Sequence, residues 1–76
     1  MNVEEKVMEC AALVYGVDAA TLKPETDIRE ELSNQSLKLI AFISTLEDEL
    51  DAVIEFQDAM ALKTIGDFIE KVKEVL

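Results

Sequence analysis

Apolar side chains recur at three- and four-residue intervals in three separated stretches of the chain, and each stretch reads as an amphipathic helix. In the first, positions 2 to 15, Val3, Val7, Cys10, Ala11 and Val14 share a face, and Glu4, Glu5, Lys6 and Glu9 occupy the other. Gly16 follows as a stop, because glycine takes the left-handed conformation at no steric cost. The second stretch runs from Ser36 to about residue 50. Leu39, Phe42, Ile43, Leu46 and Leu50 fall on one stripe, assigned to the core. Ser36, Ile40, Ser44, Glu47 and Asp51 line the neighbouring outward face, with Leu37, Ala41 and Asp48 beyond them. In the third, Thr64 has the chemistry of an N-cap and Asp67 sits where it favours the positive helix end. Ile65, Phe68, Ile69, Val72 and Val75 or Leu76 then point inward.

Positions 17–35, holding Thr21-Leu22-Lys23-Pro24 and Thr26-Asp27, show no sustained period. They are too many for an idle loop in a compact domain, so Leu22, Ile28 and Leu32 are expected to pin them across the bundle. After the irregular passage Ala52-Val53-Ile54-Glu55-Phe56, a short helical turn is expected from Gln57 to Ala61, with Ala59 and Met60 available for packing. Two glycines and one proline leave little room for a turn-rich β fold. The expectation is an all-α four-helix bundle, residues 1–76 as one domain, with three main helices, one short helix and a long first loop.

Composition narrows the function. A net charge of −10 repels phosphate backbones and anionic lipid headgroups. Nucleic acid and membrane surfaces are therefore not expected as partners, whereas basic patches on other proteins are. No apolar stretch nears the ~20 residues of a membrane span, and the start Met1-Asn2-Val3-Glu4-Glu5 has no signal-like run. One cysteine excludes an intramolecular disulfide and points to a reducing, cytoplasmic setting. The molecule is expected to be a monomer.

Little here catalyses anything unaided. Without histidine the commonest general base is missing, and Cys10 sits in an apolar stripe with no activating partner. The cluster Glu47, Asp48, Glu49 and Asp51 lacks the alternating ligands and central glycine of a calcium loop, so no dedicated metal site is expected. It reads equally as a solvated helix end or as a recognition patch for basic partners. Ser36 also has two readings. As a cap it would contribute ~0.5–2 kcal/mol, although Ser33 and Asn34 offer the same chemistry. As a modification site it would gain from the unpaired N–H groups and dipole of the first turn, which stabilise an attached phosphate.

Four segments in order then carry a resemblance. Thr26-Asp27-Ile28 through Glu31-Leu32, Leu32-Ser33-Asn34-Gln35-Ser36-Leu37, Leu46-Glu47-Asp48-Glu49-Leu50 and Thr64-Ile65-Gly66-Asp67 resemble the acyl carrier protein family nearly end to end. The second is similar to the family's Leu-Gly-x-Asp-Ser-Leu. The resemblance implies a cytosolic four-helix bundle whose serine, here Ser36, carries 4′-phosphopantetheine attached by a phosphopantetheinyl transferase. The arm would hold acyl groups as thioesters for loading and processing enzymes with basic docking patches, and the chain itself would be no enzyme. It further implies a partner face of Leu37, Ile40, Ala41, Glu47 and Asp48, and a lining of Phe42, Leu46, Ile54, Leu62 and Ile69 for a sheltered chain. The departures are Gln35 for the family's aspartate, Ser33 for its glycine, Ala41 where fatty-acid carriers are often acidic, and Lys38 near the serine. They imply a carrier dedicated to a specialised fatty-acid, lipid or polyketide-type pathway. An aminoacyl or peptidyl carrier, or an unmodified carrier-like interaction module, are the alternatives.

Overall fold

The computed structural model describes residues 2–76. Four α-helices follow one another, α1 (Val3–Tyr15), α2 (Ser36–Leu50), α3 (Phe56–Met60) and α4 (Ile65–Val75), and no strand occurs among the described residues. α1 begins at Asn2, whose side chain accepts the Glu5 N–H at 3.3 Å, and ends on Gly16 at φ 69°. α2 ends on Asp51 at φ 56°, the one non-glycine residue with positive φ among the described residues. An aspartate tolerates that conformation better than most side chains.

α1 and α2 run antiparallel. Lys6 near the start of α1 pairs with Glu49 near the end of α2 at 3.2 Å. Lys38 in the first turn of α2 donates to the Val14 carbonyl at 3.1 Å. Their facing stripes bury Val7, Cys10 and Ala11 against Phe42 and Leu46, and α4 closes the layer with Ile65, Phe68, Ile69 and Val72. Phe42 sits at the centre, edge-on to Tyr15 with ring centroids 5.9 Å apart and tilted against Phe68 at 5.0 Å. Such pairs add to the burial of apolar area.

Some sequence expectations need correction. Of the α2 core stripe, Ile43 is only half-buried. Val75 and Leu76 are exposed, because α4 has passed the end of the layer it packs on. In α3, Ala59 is fully buried but Met60 is 47% exposed, so the turn rests on its alanine. α3 also starts at Phe56, one residue earlier than the pattern indicated.

The long connection carries two short turns, a 3-10 turn at Ala19–Thr21 and a π-helical turn at Ile28–Leu32. Leu22 and Ile28 are buried and Leu32 half-buried, as the pinning argument requires. Backbone pairing does the rest. Ile28 donates to the Lys63 carbonyl at 2.9 Å, Ile65 to that of Thr26 at 3.1 Å, and Gly66 to that of Pro24 at 2.7 Å. The connection is thereby stitched to the start of α4. Nothing in the periodicity announces this, because backbone groups carry no sequence signature.

Gly66 is where the stitching is tightest. A Cβ there would stand 3.0 Å from the Pro24 carbonyl oxygen. Gly66→Ala is therefore expected to destabilise the fold by about 1–3 kcal/mol. The same change in an open helix would stabilise by roughly 1 kcal/mol. The urea midpoint reads the sign directly, and a rise would mean the Pro24 loop yields freely.

The start of α4 is a complete capping box. Thr64 Oγ1 accepts the Asp67 N–H at 3.1 Å, and Asp67 Oδ2 accepts the N–H groups of Lys63 at 3.0 Å and Thr64 at 3.1 Å. The backbone bonds from Lys63 and Thr64 hold the Asp67 carboxyl below its ordinary pKa. A depressed folded pKa means stabilisation that is present above the unfolded pKa and lost as pH falls through the folded one. Asp67→Asn should thus flatten part of the acid-side fall in Tm below the ordinary aspartate range. Thr64→Ala should cost about 1 kcal/mol at neutral pH.

Candidate functional site

Ser36 is the first residue of α2 and its side chain is exposed. The cap position belongs to Gln35, which makes no side-chain capping bond. The alternatives read from the sequence do not cap the helix either. Ser33 Oγ accepts the Gln35 N–H at 3.1 Å, one step too early, and Asn34 is exposed. The chain reaches α2 in extended conformation from Ser33, at φ −168°, which turns the Ser33 hydroxyl onto Gln35 rather than the first turn. The helix start beside Ser36 is left without a side-chain acceptor, the setting in which an anion on that oxygen gains most from N–H groups and dipole.

A cavity of about 60 Å³ opens beside this serine. Ser33, Asn34, Gln35, Ser36 and Arg29 form its polar wall, and Ile28, Leu39, Leu62 and Phe68 its apolar floor, with Tyr15 and Met60 also at the wall. Of the lining residues expected from the resemblance, Leu62 is here. Phe42, Leu46, Ile54 and Ile69 are not: all four are at most 4% exposed and packed in the core. The opening therefore lies at the N-terminal end of α2, not along its length. Engineered apolar cavities that take up benzene measure ~150 Å³, so a chain of any length must push this one open.

Sequence reasoning missed Tyr15, Arg29 and Met60. The signal for Arg29 was available, since it is the single arginine of an acidic chain. Tyr15 was hidden by its place at a helix end next to Gly16. Only packing shows that its ring meets Phe42.

The strip along α2 has the expected members on one exposed face. Leu37 is 79% and Ile40 47% exposed, and Ala41, Ser44, Glu47, Asp48 and Asp51 are exposed too. Lys38 does not share it: its ammonium sits on the Val14 carbonyl, where α1 has no basic residue of its own in the last turn. A cation there complements the dipole of α1. Glu49 is engaged by Lys6, and that hydrogen bond raises the Lys6 pKa. Glu47, Asp48 and Asp51 take part in none of the ion pairs among the described residues.

Among the described residues, no three Cys, Asp or Glu side chains converge as metal ligands. Diffuse screening is expected to relieve the repulsion within so acidic a chain. Magnesium is expected to raise Tm at low ionic strength, and sodium chloride at matched ionic strength to reproduce most of the rise. A saturable response at micromolar magnesium would contradict this.

Neither Cys10 nor Tyr15 is poised as a nucleophile or base. Burial pushes the Cys10 thiol up, away from the reactive thiolate, and burial likewise raises Tyr15. The site's exposed primary hydroxyl, uncapped helix start and neighbouring cavity fit a phosphate-linked arm.

The family model for the phosphopantetheine attachment site matches residues 5–72. The chain is 37% identical to an acyl carrier protein of Chlamydia felis over 73 residues, covering 96% of this chain and 94% of that protein. It is 36% identical to an acyl carrier protein of Chlamydia caviae over 73 residues, covering 96% and 95%. With that of Solidesulfovibrio magneticus it shares 37% identity over 76 aligned positions, covering 96% and 97%.

Proposed function

The chain belongs to the acyl carrier proteins, whose arm is covalently attached 4′-phosphopantetheine, and we propose that the arm is carried on Ser36 Oγ. One observation supports this choice above the others: Ser36 alone combines an exposed hydroxyl, the first position of a helix with no side-chain cap, and a cavity wall. When bound, the arm supplies a thiol that holds an acyl group as a thioester. The protein's own residues position and shelter. Ile28, Leu39, Leu62 and Phe68 offer the apolar surface a chain would enter. The base that removes the Ser36 proton during modification is assigned to the phosphopantetheinyl transferase.

The partner face is Leu37, Ile40 and Ala41 with Glu47 and Asp48. Apolar contact near the serine and acidic contact further down suit enzymes with a basic rim around an apolar patch. Ala41 and the turned-away Lys38 leave the upper end of α2 nearly neutral. This supports a dedicated partner set, in a specialised fatty-acid, lipid or polyketide-type pathway, and a cytoplasmic location where the buried Cys10 stays reduced.

Intact-mass measurement after incubation with coenzyme A, magnesium and several transferases tests the proposal. A gain of one arm, placed on Ser36 by fragment ions, is the expected result. Gln35, exposed at the cap position where the family's motif has aspartate, favours a second reading as an unmodified interaction module. No gain with any transferase would favour that module. Loading of the modified form by an amino-acid-activating enzyme would instead identify an aminoacyl or peptidyl carrier.

A further inference from the structure

Arg29 stands apart from every other cation of this chain. It lies on the π-helical turn of the connection, forms the wall of the cavity beside Ser36, and donates to the Met60 carbonyl at the end of α3. That bond joins the connection to α3, two elements that both line the cavity, so it acts as a clasp between them. Its acceptor is a neutral carbonyl, although a guanidinium bonds about twice as strongly to an anion and matches phosphate geometry. No carboxylate pairs with Arg29 among the described residues. The lone arginine of an acidic protein thus sits on the wall of the serine's cavity with an exchangeable partner.

We infer that Arg29 is the positioning residue for the arm on Ser36: its guanidinium leaves the Met60 carbonyl for the phosphodiester, and the released α3 lets the cavity open. The inference rests on Ser36 being the attachment site. Modification would then do two things with one side chain. It would orient the arm toward the cavity, and it would loosen the wall the cargo must pass. The coupling needs differential affinity, and the exchange of a neutral for an anionic acceptor provides it. The Tyr15 hydroxyl is a built-in reporter, since the charge of Arg29 lowers its pKa against the larger effect of burial.

The test compares unmodified and modified forms of wild type, Arg29→Gln and Arg29→Lys by amide hydrogen exchange, with intact mass certifying each form. In wild type, modification should speed exchange at the Ala61 and Leu62 amides, which close α3 onto Asp58 and Ala59, by roughly tenfold, the factor carried by one charged hydrogen bond. In Arg29→Gln those amides should already exchange fast before modification, and modification should add nothing. Arg29→Lys should retain part of the response. Spectroscopic titration of Tyr15, the only tyrosine, should show a higher pKa in unmodified Arg29→Gln, which confirms where the charge lies. Equal exchange factors in wild type and Arg29→Gln, or a modified wild type that exchanges like the unmodified one, would overturn the inference. Failure of wild type to gain the arm on Ser36 would remove the attachment reading itself, and the inference with it.

Discussion

Ser36→Ala is expected to abolish the gain of the arm completely while leaving the fold as stable as before. Both halves follow from the same geometry. The variant removes the one oxygen proposed to accept the phosphodiester, so no transferase can act at that position whatever its affinity for the face around it. Stability is a separate matter. A capping serine costs ~0.5–2 kcal/mol when lost, but Ser36 is the first helical residue, not the cap, and its side chain is exposed. An exposed substitution of this kind stays within about 0.5 kcal/mol, or roughly 2–4 °C in Tm for a domain of this size. Ser33→Ala and Ser44→Ala serve as controls and should still gain the arm. A Ser36→Ala protein that still gains the mass would move the attachment elsewhere. A fall in Tm well beyond that range would show that the hydroxyl is structural after all.

Phe42→Ala is expected to produce the largest loss of stability of any single change in α2. Its side chain is fully buried and packs on Tyr15 and Phe68, so it links all three main helices. Truncating a buried phenylalanine costs ~3–5 kcal/mol through lost transfer energy and the void left behind. Domains of this length hold only about 4–11 kcal/mol in total. A chain of net charge −10 is further weakened by self-repulsion at low salt. The variant should therefore be largely unfolded at low ionic strength and 37 °C, or melt at least ~15 °C below wild type, as followed by far-UV circular dichroism. Ile40→Ala, two residues away on the exposed strip, should change Tm by a few degrees at most. Its effect belongs to partner binding. If the two variants melted alike, the division of α2 into inward and outward stripes would be wrong.

That division was legible before any coordinates. Leu39, Phe42, Leu46 and Leu50 are the buried side chains of α2, because a 3.6-residue period leaves only one way to face a core. The α4 cap was equally readable, since Thr64 and Asp67 need only local geometry to bond each other's backbone. The Ser36 neighbourhood was readable in position but not in detail. Gln35 took the cap that Ser33 and Asn34 promised, because the backbone conformation entering a helix depends on where the preceding connection is anchored.

The chain's own sequence determined its helices, their inward stripes, its charge and the resemblance that singles out Ser36, all of which rest on local spacing or residue chemistry. Only the tertiary structure decided that the cavity lies at the mouth of α2, that Pro24 closes on Gly66, that Lys38 turns to Val14 and that Arg29 clasps Met60. Those contacts join residues distant in sequence through backbone carbonyls. Every residue offers the same carbonyl, so no pattern of side chains can say which one will be met.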